Sequence, residues 1–105
     1  GMPGNMNNLM KQAQKMQKQM AETTKALEEK SYEASAGGGV VSVTVSGKKE
    51  VTAIKIAEEV VDPDDIEMLE DLIMAATNEA FRAMEADSQA QMSKLTGGLG
   101  GGFGF

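Results

Sequence analysis

The sequence predicts one α+β domain, with two long helices and a three-stranded antiparallel meander in the order α-β-β-β-α. Three observations lead there: a seven-residue apolar repeat, short segments in which apolar and polar residues alternate, and a second stretch with helical spacing. A chain of 105 residues is long enough for one domain and short for two. We expect a disordered N-terminus over residues 1–5, a single domain over 6–96 and a flexible Gly/Phe tail over 97–105, and we interpret Gly1 as the remnant of a tag.

The first predicted helix runs from about Met6 to Lys30. Its apolar residues recur every seven positions, with a second set between them, which is the period of a packing seam between helices. Neither glycine nor proline interrupts the segment, and its glutamines, lysines and methionines favour a helix. The seam consists of Met6, Leu9, Ala13, Met16, Met20, Thr23 and Leu27.

Alternating residues predict three short strands after this helix. The connections Gly37–Gly39 and Ser46–Lys49 are short and have the composition of turns. Links this short join antiparallel neighbours, so the strands should form a meander. Within the three strands in turn, the alternate residues that share a face are Tyr32, Ala34 and Ala36, then Val41, Val43 and Val45, then Thr52, Ile54 and Ile56.

The second helix is predicted to open at Asp62-Pro63-Asp64-Asp65. Asp62 should cap it, Pro63 suits a first helical position, and acids favour the positive end of the helix dipole. The helix extends as far as Leu95, and six of the nine residues after Thr96 are glycine. Its apolar residues recur at steps of three and four: Ile66, Leu69, Ile73, Ala76, Ala80 and Met84.

The length of the helices predicts self-association. At 1.5 Å per residue the first helix is ~37 Å long and the second reaches ~50 Å, whereas a compact chain of this size has a radius of gyration of ~13 Å. One three-stranded sheet cannot cover both helices along their full length. We therefore expect a symmetric homodimer, in which a second subunit covers part of the apolar surface.

The residue types on which most enzymes depend are missing. The chain has no cysteine and no histidine, which removes thiolate and imidazole nucleophiles, bases and metal ligands. Gly37–Gly39 lacks the spacing of a phosphate-binding loop and precedes a strand, so we interpret it as a turn. The acids at 62–65 lack the later ligands of a calcium loop and suit a helix start instead. We predict no enzymatic activity, no catalytic residue, no cofactor, no metal and no small-molecule substrate.

Charge is distributed unevenly along the chain, whose net charge is −6. Residues 1–21 contain three lysines and no acid, whereas Ile56–Leu95 holds eleven acids and two bases. Lysines grouped on one face of a helix either bind the phosphates of duplex DNA or form a solvated surface, and composition alone does not separate the two possibilities. No aromatic residue interleaves with the lysines, which disfavours stacking on single-stranded bases. The helix face opposite the seam carries Lys11, Lys15, Lys18 and Lys25.

Methionines at 6, 10, 16 and 20 provide the first helix with an adaptable apolar surface. Ordinary helix packing or a dimer seam explains this pattern more simply. The alternative function is a protein–protein adaptor that binds its partner through these methionine-rich faces, with DNA binding incidental.

Four segments carry a family resemblance: MNNLMKQAQKMQ at 6–17, GGGVVSVTV at 37–45 with Gly47, MLEDLIMAATNEA at 68–80 and KLTGGL at 94–99. In this order they resemble the YbaB/EbfC family of nucleoid-associated DNA-binding proteins. They span almost the whole chain after Gly4, and none of them is a catalytic signature.

The resemblance implies an α-β-β-β-α fold that dimerises into a tweezer-like shape, with paired helices protruding from a shared core. It implies double-stranded DNA as the partner, a cytoplasmic, nucleoid-associated location and no catalytic residues. The acids of the second helix would weaken binding, so we expect modest, salt-sensitive affinity with little base readout. No run of about 18 apolar residues is present, so no membrane partner is expected. The DNA-facing arms would include Lys11, Lys15, Lys18 and Lys25, in agreement with the charge pattern, and also Lys94.

Overall fold

The structure is a computed structural model that describes the backbone of residues 3–100 and the side chains of residues 6–97. Its elements are helix α1 (Pro3–Glu28), strands β1 (Ser31–Ala36), β2 (Val41–Ser46) and β3 (Val51–Ile56), and helix α2 (Ile66–Gly100). The predicted α+β class and the α-β-β-β-α order are confirmed. The strands form one antiparallel sheet in the order β1-β2-β3. The triple glycine forms the predicted turn between β1 and β2, and all three of its residues have positive φ.

Both helices are longer than their sequence patterns predict. α1 begins at Pro3, and α2 extends to Gly100. Residues 3–5 and 97–100 are therefore helical, although their composition predicts a disordered N-terminus and a flexible tail. Proline fits a first helical turn, where its missing N–H would have no partner, and an established helix gains one hydrogen bond with each further residue. Residues 101–105 of the predicted tail lie outside the described residues.

The core lies between one face of the sheet and α2. The fully buried side chains of this face are Val41, Val43 and Val45. Burial of a valine side chain contributes roughly 1.5–3 kcal/mol relative to leaving it exposed. Ala76 and Ala80, on successive turns of α2, are also fully buried and let the helix lie close to the sheet. α2 packs on β1 and β2, whereas β3 lies outside its main contacts.

A β-bulge changes the predicted face of β3. Two consecutive residues of β3, Val51 and Thr52, stand opposite Val45 alone. The Thr52 hydroxyl donates a hydrogen bond to the Thr44 carbonyl at 3.3 Å. The extra residue shifts the alternation by one, so Val51 joins Ile54 on the apolar face. The prediction that Thr52 belongs to that face was wrong.

The second helix starts later than its sequence predicts. The Asp65 carboxylate accepts a hydrogen bond from the Met68 backbone N–H at 3.2 Å, which makes Asp65 the N-cap of α2. The Asp62 carboxylate accepts a hydrogen bond from the Asp64 backbone N–H at 2.9 Å, in a turn before the helix. The prediction that Asp62 caps α2 was wrong, because Pro63 belongs to that turn rather than to the first helical turn.

The β2–β3 turn lies directly against the end of α1. The Gly47 N–H donates a hydrogen bond to the Lys30 carbonyl at 3.0 Å. A Cβ atom at position 47 would overlap the Leu27 carbonyl oxygen and the backbone of Glu28. Only glycine permits this approach, which joins the hairpin to the first helix.

We expect Gly47→Ala to destabilise the fold by about 1–3 kcal/mol, because the backbone must shift to admit the methyl group. Gly97→Ala is the matched control, since no atom lies within 4 Å of its Cβ position and alanine favours a helix over glycine by about 1 kcal/mol. Urea unfolding of both variants measures the difference. Equal unfolding midpoints for Gly47→Ala and the wild type would contradict the close approach.

Candidate nucleic-acid interface

The two helices run antiparallel and extend past the sheet together. Near the sheet, Leu27 of α1 and Met84 of α2 line a cavity of about 170 Å³. Eleven residues farther along each helix, Met16 and Leu95 line an open groove of about 760 Å³. We call residues 3–21 of α1 and 88–100 of α2 the arms.

The arms carry positive charge only. All 16 acidic residues of the chain lie between Glu22 and Asp87. The acids of α2 thus lie in the part of the helix that packs on the sheet, away from its arm. The two acid-free segments are far apart in the sequence, and only antiparallel packing brings them to the same end of the molecule. Their lysines are Lys11, Lys15, Lys18 and Lys94.

All five lysines predicted to contact DNA are exposed: Lys11, Lys15, Lys18, Lys25 and Lys94. Within the described part of the chain, none of them forms an ion pair. At about 100° per residue, the four on α1 lie within an arc of about 80°, opposite the buried Leu27. Lys25 lies below the arm and one turn from Glu22. The structure therefore groups the other four lysines and sets Lys25 apart from them.

A polar cluster lies at the base of the arms, where α2 leaves the sheet. The Asp87 carboxylate accepts hydrogen bonds from the Lys30 ammonium at 2.8 Å, the Tyr32 hydroxyl at 2.6 Å and the Gln91 amide at 3.3 Å. These donors, Lys30 first, lower the pKa of Asp87 from 3.8 to about 2. Partial burial and the neighbouring carboxylate raise the pKa of Tyr32 to about 12. This root cluster ties the segment after α1 to the start of the α2 arm.

The sequence offers no sign of the root cluster, because Lys30 and Asp87 are 57 positions apart and no local pattern joins them. The exposed pair Lys48 and Lys49 in the β2–β3 turn lies outside the arms and outside the predicted site. Lys49 has a φ of 68° and lines the cavity at the base of the arms. The turn itself is recognisable from its composition, but its position beside α1 depends on the close approach of Gly47.

The β3 side of the apolar sheet face lies outside the main contacts of α2. β3 contributes Val51, Ile54 and Ile56 to it, and these side chains are 44%, 47% and 39% exposed. α2 covers the β1 and β2 side of the same face. We call these three residues the β3 patch. These side chains make the open edge of the sheet apolar.

Residues 3–100 contain no helix that is long and apolar enough to cross a membrane. The same residues contain no group of three or more acidic, histidine or cysteine side chains that could hold a metal ion. Every buried side-chain nitrogen or oxygen of the described residues has a hydrogen-bond partner.

Exposed lysines on acid-free helical arms are the kind of charge pattern that nucleic-acid-binding proteins present. The chain belongs to the YbaB/EbfC DNA-binding family, whose family model matches residues 2–99. A nucleoid-associated protein of Agathobacter rectalis is 74% identical over 102 residues, which cover 97% of this chain and 90% of the relative. A nucleoid-associated protein of Clostridium acetobutylicum is 62% identical over 96 residues, which cover 91% of this chain and 86% of the relative.

The fold is similar to the crystal structure of an uncharacterized protein from Helicobacter pylori. The TM-score is 0.71 at 22% sequence identity, and the match covers 83% of this chain and 91% of the other. At this identity the similarity supports the fold alone. The family match confirms the resemblance carried by the four sequence segments.

The root cluster predicts that stability depends on pH. The folded state lowers the pKa of Asp87 below its ordinary value of 3.8. The cluster therefore stabilises the fold above pH ~4 and loses this contribution as the pH falls toward ~2. Asp87→Asn should be less stable than the wild type near neutral pH, and the difference should narrow as the pH falls through that range.

Urea unfolding between about pH 7 and about pH 2 measures this difference. Glu79→Gln is the control, because Glu79 pairs with Arg82 at 2.9 Å on the exposed surface of α2. Surface pairs contribute about 0–1 kcal/mol, so this variant should unfold almost as the wild type does. A difference between Asp87→Asn and the wild type that stays constant with pH would contradict the role assigned to Asp87.

Proposed function

We propose that this protein is a nucleoid-associated protein that binds duplex DNA as a homodimer, mainly through backbone phosphates and with little sequence specificity. The observation that carries this proposal is the grouping of exposed lysines on arms that have no acidic residue. Membership of a DNA-binding family supports the same partner. We assign the protein to the cytoplasm, at the nucleoid, because its relatives are named nucleoid-associated proteins.

Phosphate contact follows from the side chains on the arms. Lysine presents a point charge on a flexible stem and lacks the planar fork with which arginine reads a guanine edge. Lys11 and Lys18 are about 10 Å apart along the helix axis, so the α1 arm spreads its positive charge along a length over which duplex DNA carries several phosphates. The arms contain no aromatic side chain on which a base could stack. We assign the phosphate contacts to Lys11, Lys15, Lys18 and Lys94, and we place Lys25 at the edge of the DNA-binding surface.

The β3 patch supports a homodimer. It is the uncovered side of a face whose β1 and β2 side forms the core, so a partner that covers it extends that core. In a two-fold symmetric interface the same patch of each subunit lies in the contact. An apolar sheet edge can pack against the identical edge of a second copy, so the β3 patch suits such an interface. α1 packs on α2 and makes no major contact with β3. A dimer through the β3 patch therefore leaves the arms free.

Dimerisation doubles the number of arm lysines on one particle. If all of them met phosphates, the association constant would fall with salt at a logarithmic slope of up to about −7. The acidic residues between Glu22 and Asp87 oppose this attraction. We therefore expect modest affinity near physiological salt and much tighter binding at low salt.

Replacement of three arm lysines by glutamate, in the variant K11E/K15E/K18E, should abolish duplex binding while the dimer persists. The charge-matched control is K48E/K49E/K55E, whose lysines are exposed outside the arms. Fluorescence anisotropy with two unrelated duplexes, at low salt and near physiological salt, measures the affinity. For the wild type we expect steep weakening with salt and similar affinity for both duplexes.

Unchanged affinity in the arm variant would refute the assignment of these lysines. Equal losses in the arm variant and its control would show that net charge, rather than its position, governs binding. Absence of wild-type binding even at low salt would contradict the DNA-binding function and favour the alternative described below.

Ile54→Asp should dissociate the homodimer, because it places a charge in the β3 patch. Ser35→Asp is the control, since it adds the same charge to the exposed polar face of β1. Sedimentation equilibrium measures the mass of each variant, and circular dichroism checks that both are folded. A monomeric wild type would contradict the homodimer, and a dimeric Ile54→Asp would place the interface away from the β3 patch.

A second candidate function is a protein–protein adaptor with incidental DNA binding. Its supporting observation is that Met6, Met10 and Met20 are 64%, 58% and 40% exposed on α1, and methionine surfaces adapt to varied partners. Met16 is half-buried and contributes less to such a surface. Met10→Gln separates the two functions, since it should eliminate recovery of a protein partner and leave DNA affinity unchanged.

A further inference from the structure

We propose that residues 101–105, Gly-Gly-Phe-Gly-Phe, pack in cis on an apolar stripe of α1. This α1 stripe is formed by Met6, Leu9 and Met10, whose side chains are 64%, 64% and 58% exposed. They are the most exposed large apolar side chains among the described residues. The described residues leave more than half of each of these side chains exposed. The stripe can therefore accept another apolar segment.

The path of α2 leads the chain to the α1 stripe. The two helices are antiparallel, and Met16 lies across the groove from Leu95. Each residue toward the C-terminus of α2 is therefore matched by one residue toward the N-terminus of α1. At this register the chain reaches residue 101 at the level of Met10, where the stripe begins.

The length of the segment matches the distance it must cover. Five residues extend for at most ~17 Å, and the α1 stripe from Met6 to Met10 is only about 6 Å long. Three of the five residues are glycine, whose backbone freedom allows the segment to cross from the end of α2 to α1. Both Phe103 and Phe105 can therefore reach the stripe without any change in the helices.

The chemistry of the two surfaces is complementary. The chain has three phenylalanines, and two of them lie in this segment with only glycine around them. Two of the three side chains in the α1 stripe are methionines, whose sulfur makes favourable contacts with aromatic rings. None of the side chains on either surface carries a charge, so apolar burial rather than side-chain ion pairing stabilises the contact, and kosmotropic salts such as sulfate strengthen it slightly.

Attachment to α2 favours this occupant over a second copy of the chain. A short tether gives an effective concentration in the millimolar range, which exceeds the micromolar concentrations at which binding is measured. The α1 stripe also lies away from the arc that holds Lys11 and Lys15, so its coverage leaves the lysine face open. The contact and the DNA-binding function are therefore independent and can fail separately.

Methionine methyl resonances of the full-length protein report this contact directly. In protein labelled with carbon-13 at the methionine methyl groups, ring currents from Phe103 and Phe105 should displace the resonances of Met6 and Met10. The variant F103S/F105S should move these two resonances toward the values of solvent-exposed methionine. Met74, which is 55% exposed in α2 near the sheet, is the internal control and should not move.

A mixing experiment separates a cis contact from a contact with a second copy. Labelled F103S/F105S is mixed with unlabelled wild type, and the Met6 and Met10 resonances should stay at the variant positions. Their return to the wild-type positions would overturn the cis contact and identify a second copy as the occupant. Unchanged Met6 and Met10 resonances in F103S/F105S alone would overturn the contact altogether. Duplex affinity should be the same in the variant and the wild type.

Discussion

The burial of the β2 valines beneath Ala76 and Ala80 is the interaction on which the rest of the structure depends. Small side chains let α2 lie close to the sheet, and the helix then covers two of the three strands. α2 has 35 residues and is about 52 Å long, whereas a six-residue strand spans about 20 Å. The helix must therefore leave the sheet as an arm, and β3 must stay partly uncovered. One packing arrangement thus generates both surfaces to which the proposed function is assigned.

The placement of charge follows the same division of the molecule. Acidic residues occupy the strands, the loops and the part of α2 that packs on the sheet, whereas the arms carry lysine alone. A chain with a net charge of −6 can present a cationic surface, because screening limits each charge to a range of about 8–10 Å. The root cluster around Asp87 lies at the boundary between the two regions and holds the α2 arm to β1 through charge-assisted hydrogen bonds.

The α1 arm presents two different chemistries on different sides. Its lysines lie in an arc opposite the seam, whereas Met6, Leu9 and Met20 belong to the seam and Met10 lies beside it. A helix separates such faces by rotation, so a polyanion and an apolar occupant need not compete for the same residues. This arrangement allows the lysine face to contact phosphate while the apolar side packs against protein.

The sequence by itself determined the elements, because helical and strand periods are local properties of consecutive residues. It also determined the lysine face of α1, since four lysines at helical spacing need no tertiary contact to share a side. Only the tertiary structure decided that the C-terminal part of α2 lies beside them, that Asp65 rather than Asp62 caps α2, and that a bulge moves Thr52 off the apolar face. The tertiary structure alone also decided the root cluster and the β3 patch. Each of these depends on which distant residues meet, and the spacing of neighbours along the chain does not encode that.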